Sequence, residues 1–243
     1  MTTAPTPVPR GQTSRGPYVT LLAIIIIILA GTIVFLLARG DSGNGPSATT
    51  GRRGSGVAAS ASRVVPAFSA VDLAGSSVLT VRVGSQQAVV VHADDNLIDL
   101  VTTEVEGGTL VVGTSGNFTT QSPMTVDVTV PTLETLVLSG SGAVTVEGVT
   151  AARLVVRAPG SGVLTISGTA EQLDVSLTGS GDVRLEELVA RDVAATVSGS
   201  GRLQVHTTDS LDASVPGTGV IVYRGNPSTV TTDVSGTGLI TKQ

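Results

Sequence analysis

The 243-residue sequence predicts an all-β protein: a right-handed parallel β-helix, or solenoid, of about six 19-residue turns, with an irregular β capping layer and one preceding transmembrane helix. Three observations predict it. Six triplets, Gly140-Ser141-Gly142, Gly160-Ser161-Gly162, Gly179-Ser180-Gly181, Gly199-Ser200-Gly201, Gly217-Thr218-Gly219 and Gly236-Thr237-Gly238, return at spacings of 20, 19, 20, 18 and 19 residues. Aliphatic and polar residues alternate on both sides of each triplet. One uncharged apolar stretch stands near the N-terminus. A fixed period means that one supersecondary unit is stacked on copies of itself, because no single copy buries its apolar face alone.

Two residues beyond each triplet stand Val144, Leu164, Val183, Leu203, Ile221 and Ile240, an unbroken aliphatic column. Four beyond stand Val146, Ile166, Leu185, Val205 and Tyr223, and only Lys242 breaks the rule, so the last rung is expected to fray or to act as a polar cap. Mostly polar residues lie between. This period of two makes each turn begin with a strand that buries one face.

A second strand precedes the next triplet, with Leu154/Val156/Ala158, Leu173/Val175/Leu177, Val193/Ala195/Val197, Leu211/Ala213/Val215 and Val230/Thr232/Val234 predicted to face inward. Equivalent strands pairing in parallel set the first and sixth triplets roughly 24 Å apart. At the corners, glycine is expected because it enters backbone angles that a Cβ resists, and the central hydroxyl is expected to bond to the corner backbone or to its own copy in the next turn. A phosphate-cradling loop does not fit: no Gly-Lys-Ser/Thr and no helix pattern follows any triplet.

Upstream, the chain divides by composition. Residues 1–18 carry prolines at 5, 7, 9 and 17 and read as a disordered tail. Residues 19–38 form an uncharged apolar run, which at 1.5 Å per residue spans about 30 Å, the thickness of a bilayer's hydrocarbon core. The run exceeds a signal peptide's h-region and lacks a small-x-small cleavage pattern, so a retained signal anchor is expected. That makes the lipid bilayer a partner through residues 19–38 and predicts a single-pass cell-membrane protein with its C-terminal domain extracytoplasmic. Residues 39–61, made of Gly, Ser, Ala and Thr, read as a flexible linker reaching roughly 25 Å. The Arg39-Gly40-Asp41 tripeptide within it is read as a chance occurrence at the membrane surface. Residues 62–132 show strands without the strict period and are expected to form the N-terminal capping layer, with the repeats at 133–243.

Composition narrows function. The chain has no cysteine, which excludes disulfides and thiolate metal sites. Residues 62–243 carry nine basic and eighteen acidic side chains, which argues against nucleic acid as a partner. Only five aromatic residues occur in the chain, two of them before residue 62, so platforms for stacking bases or sugars are scarce.

The Arg63-Val64-Val65-Pro66-Ala67-Phe68 opening, the Val78–Val83 and Ala88–Ala93 pair, Leu110-Val111-Val112, the Val126-Asp127-Val128-Thr129-Val130-Pro131-Thr132-Leu133 segment and the six corners come in the order of a known family. Over about residues 62–241 the chain resembles the auto-transporter adhesin head domain, also called the head GIN domain, a family of bacterial envelope proteins. The resemblance implies an all-β, solenoid-like domain on the outer side of the cell membrane. No Gly-Ile-Asn tripeptide occurs here, and the membrane anchor is not part of that domain.

Chemistry-bearing residues are few. His92 and His206 have no companions at metal-ligand spacing and read as strand or loop residues, and no metal or cofactor is expected. Asp94-Asp95 and Glu186-Glu187 read as solvated charge at turns. Asp174 and Asp212 fall in one outward column, two turns and roughly 9.6 Å apart, at the edge of the window for an inverting glycosidase pair. No catalytic residue is assigned. The expected role is a non-catalytic interaction, adhesion-like or structural module with a protein or cell-wall partner. A glycan-processing enzyme using the two aspartates and an extracytoplasmic sensory module are the alternatives.

Overall fold

The computed structural model describes residues 51–243. The expected tail, span and Arg-Gly-Asp tripeptide lie outside the described residues, and among those described no helix is long and apolar enough to cross a membrane. The strands, in chain order, are β1 (Arg52–Arg53), β2 (Ala58–Arg63), β3 (Ala70–Leu73), β4 (Val78–Val83), β5 (Ala88–Asp94), β6 (Val101–Glu106), β7 (Thr109–Thr114), β8 (Phe118–Thr119) and β9 (Thr125–Val130). The repeats follow as β10 (Thr135–Leu138), β11 (Ala143–Ala158), β12 (Val163–Leu177), β13 (Asp182–Val197), β14 (Arg202–Ser214), β15 (Val220–Arg224), β16 (Thr229–Asp233) and β17 (Leu239–Lys242).

The repeats are stacked in parallel and in the register that their period requires. Leu79, Val144, Leu164, Val183, Leu203, Ile221 and Ile240 pair as one continuous column. All of them except Ile240 are buried. A second column runs through Leu110, Val71, Leu136, Val156, Val175, Ala195, Ala213 and Thr232. The two strands expected in each turn merge into single ribbons, β11 to β14, whose mid-turn bend appears as a register shift, for example between Val146 and Val149. Burial of these aliphatic columns supplies the stability, at roughly 25 cal/mol per Å² of apolar surface. Thr207 is the polar exception at an inward position, and its hydroxyl lies 2.8 Å from the Ser210 carbonyl oxygen and 3.1 Å from that of Arg191.

Four expectations change. The solenoid has about five turns rather than six, because six corners bound five intervals and only the four-residue β17 follows the last. The parallel ladder does not begin at residue 133. It continues through β3 and β4 and ends on β7 and β9, so residues 62–132 hold two further rungs. The chain visits these rungs out of order, which hides their period in the sequence. Antiparallel strands close that end: β5 lies on β9, β2 on β5, and β6 on β7.

Third, residues 51–61 are not all linker. β1 pairs with β8, and β2 pairs along its whole length with β5, because small Ala and Ser side chains fit an outer edge strand as readily as a loop. Fourth, the corner glycines are required by proximity and not by a left-handed backbone. None of them has a positive φ. A Cβ on Gly160 would overlap the carbonyl oxygen of Gly140, one turn below, and the same clash recurs up the stack. Only a residue without a Cβ lets the turns approach closely enough for Gly160 N–H to donate to Leu138 O at 3.0 Å and Ser161 N–H to Gly140 O at 3.2 Å. The corner ladder is thus made by the backbone. Among the central hydroxyls, Ser180 and Ser200 meet at 3.0 Å.

At the C-terminal end the last turn lies open. Val230 and Val234, expected to face inward, are 43% and 45% exposed, because no further turn packs beneath them.

Candidate functional site

Outward side chains of parallel strands form rows about 4.8 Å apart, so any site on this fold is a patch of a flat face. Asp174, Ala194 and Asp212 occupy consecutive positions of one row on β12, β13 and β14. The two aspartates line one shallow groove of ≈ 240 Å³ together with Arg153 and Asp192. Ala194 stands between them. Asp174 is already engaged: Arg157 grips it with Nη1 to Oδ1 at 3.1 Å and Nη2 to Oδ2 at 3.2 Å, and Arg153 Nη2 reaches Oδ2 at 3.4 Å. Asp192 accepts from the Ser210 hydroxyl at 2.6 Å. With both of its oxygens held by guanidiniums, the Asp174 carboxylate is used in charge pairing. The outward alternation places Arg157 and both aspartates on one face, but that Arg153 and Arg157 close on Asp174 emerges only when β11 and β12 are set in register.

Ion pairs decorate the other outward positions. Arg191 lies 3.1 Å from Asp209, and Ser228 donates to the same carboxylate at 2.9 Å. The Ser228 hydroxyl and Arg191 hold Asp209 below the usual aspartate range, and Asp209 in turn raises Arg191. Arg82 bridges Glu147 at 3.1 Å and Asp127 at 3.7 Å, and His92 Nε2 lies 3.1 Å from Asp127 Oδ2. These pairs are about half exposed, so solvent and salt screen them and they add little to stability. His206 is in register with Val189 and Arg224, on β14, well away from His92 on the capping strand β5. Glu186 accepts from Gln204 at the mid-turn bend. Among the described residues, no three His, Asp or Glu side chains are placed to hold a metal ion.

Asp94 departs most from its expected role. It is not solvated charge: its side chain is fully buried and accepts from Gln121 N–H at 2.8 Å, Gly56 N–H at 3.0 Å, Ser122 N–H and the Ser122 hydroxyl at 2.8 Å. These donors, led by the Gln121 amide, hold its carboxyl below the usual range. Asp72 is the opposite case. Burial raises it, against the lowering effect of the Ser139 hydroxyl that donates at 2.7 Å.

Fold and surface together define a capped β-solenoid with flat, charge-paired faces and shallow grooves. The chain belongs to the family described as "Putative auto-transporter adhesin, head GIN domain", whose profile matches residues 67–227. Among solved structures it is similar to a "putative adhesin" from Bacteroides fragilis, at 22% identity and a TM-score of 0.68, covering 79% of this chain and 100% of that one. It is also similar to a "Putative lipid binding protein" from Parabacteroides distasonis, at 21% identity and a TM-score of 0.49, covering 79% of this chain and 98% of that one. A "putative adhesin" from Parabacteroides merdae matches at 21% identity and a TM-score of 0.44, with 79% and 98% covered. At such identities the likeness is one of fold. No match was found among curated proteins.

Proposed function

We propose that this chain is a single-pass, membrane-anchored protein whose right-handed solenoid stands on the extracytoplasmic side and serves a non-catalytic, adhesion-like or structural role. One observation carries the reading. The outward rows offer flat, rigid, charge-paired surface, and the aspartates that could have formed a reaction centre are separated by Ala194, with Asp174 tied to Arg153 and Arg157. Such a surface binds through shape and many weak contacts across a protein or cell-wall polymer and not by enclosing a small molecule. Its acidic balance disfavours nucleic acid. The apolar run at 19–38 supports the anchor, and the family's name supports the adhesion-like role.

The test is protease shaving of intact cells, scored with an antibody to residues 133–243. Digestion of that epitope without lysis is expected. Protection until the membrane is breached would overturn the orientation, and with it the role.

A further inference from the structure

Residues 51–61 fall in the stretch expected to be flexible linker, yet residues 52–56 make a cluster of specific polar contacts. A fifth Gly-Ser-Gly, at 54–56, does not form a solenoid corner. It lies against Asp94, the last residue of β5, and Asp95-Asn96 in the turn that follows. Asp94 accepts from Gly56 N–H and, on its other side, from Gln121 and Ser122, so one carboxylate joins the arm to the loop that precedes β9. Asn96 reads the arm's backbone in both directions, accepting from Ser55 N–H at 3.0 Å and donating to Arg53 O at 2.8 Å. The Ser55 hydroxyl donates to Asp95, and Gln121 Nε2 donates to Gly54 O.

The fit is specific to glycine. Gly54 is buried, and a Cβ there would overlap the Asp94 carboxylate, while Gly56 has φ +79°, in the left-handed region. The strand that follows holds on differently. β2 pairs with β5 over six residues, but none of its own side chains is buried. Its hold is therefore mainly backbone hydrogen bonding at a sheet edge, a weak attachment next to the buried columns of the solenoid.

We propose that residues 51–63 are a strap, fastened by Asp94, Asp95 and Asn96, that opens as a unit while the solenoid remains folded. The placement gives the clasp its role. It lies between the N-terminal chain and β2, so tension applied through residue 51 reaches the short β1–β8 pair and the clasp before it reaches β2 and β5. Opening removes β2 and bares the backbone edge of β5, while Val89, Val91 and the columns beneath stay packed.

Hydrogen exchange followed by mass spectrometry on the full-length chain tests this, comparing wild type, Asp94→Asn and the surface variant Asn96→Ala. Amides of residues 51–63, and those β5 amides that bond to β2, are expected to exchange about tenfold faster or more in both variants. Amides of 163–177 are expected to be unchanged. Strap amides that keep wild-type protection in both variants would overturn the proposal. So would a wild-type chain in which strap and solenoid amides exchange with one common opening. Should Asp94→Asn fail to fold, Asn96→Ala and the wild-type comparison decide the matter alone.

Discussion

Gly160 lies directly over Gly140, its Cα facing the carbonyl oxygen of the turn below so closely that no Cβ fits between them. Gly160→Ala must therefore push two rungs apart or rotate a corner that is hydrogen-bonded on both sides. It is expected to destabilise the domain by about 2–4 kcal/mol, as substitutions do when they force backbone to move. Ser161→Ala, at the exposed centre of the same corner, is expected to cost less than about 0.5 kcal/mol. Urea titration of both variants checks this. Equal losses would mean that the hydroxyl, and not the close approach, holds the corner.

Acid should weaken the N-terminal cap through Asp94. Its folded carboxyl sits below the unfolded value because backbone amides solvate the anion, so the unfolded chain binds more protons there. That stability is fully present above the ordinary aspartate value of about 3.9 and is lost as pH falls through the lowered folded value. Asp72 works in the reverse direction. Burial raises it, so its ionisation opposes folding at neutral pH, and the opposition is relieved as pH falls through the raised value. Asp94→Asn is expected to flatten the acid arm of the urea midpoint against pH below about pH 4. Asp72→Asn is expected to remove a small opposing slope above that range.

How much of this was legible in the sequence follows from chain order. Val144, Leu164, Val183 and Leu203 stack in register because their period survives in the sequence, and the corner triplets announce where each turn closes. Leu110 and Val71 belong to the same core, yet they are reversed in spatial order and separated by β5 and β6, so no fixed spacing exposes them. The reason for glycine at the corners was misjudged because a close approach between turns depends on a neighbour 20 residues away. Asp94 was misread for a similar cause: next to Asp95 and Asn96 it looks like an exposed turn, and only the arm and the 121–122 loop arriving from either side bury it.

The aspartates of the groove offer a direct separation of binding from catalysis. Asp174→Asn with Asp212→Asn removes both carboxylates while keeping shape, and the surface pairing lost with Arg157 and Arg153 is worth only about 1 kcal/mol. The double variant is expected to leave the thermal midpoint within a few degrees of wild type, roughly 2–4 °C per kcal/mol at this size, and to leave surface attachment of cells unchanged. Loss of glycan turnover in cells that keep a folded variant would establish an enzyme instead.

The middle and the open end of the solenoid should differ sharply in what a truncation costs. Leu164 is wholly enclosed between the turns above and below, so Leu164→Ala removes buried methyl groups and leaves a void, at about 2–5 kcal/mol. Val230 ends a different column, that of Leu154, Leu173, Val193 and Leu211, where no further turn covers it and 43% of it is exposed. Val230→Ala is expected to cost less than about 1 kcal/mol, since little surface is returned to water. Denaturant titration of the two variants reads the difference. A loss at Val230 as large as that at Leu164 would mean that another surface covers the last turn in solution, and a concentration-dependent midpoint would then identify that surface as a second copy of the chain.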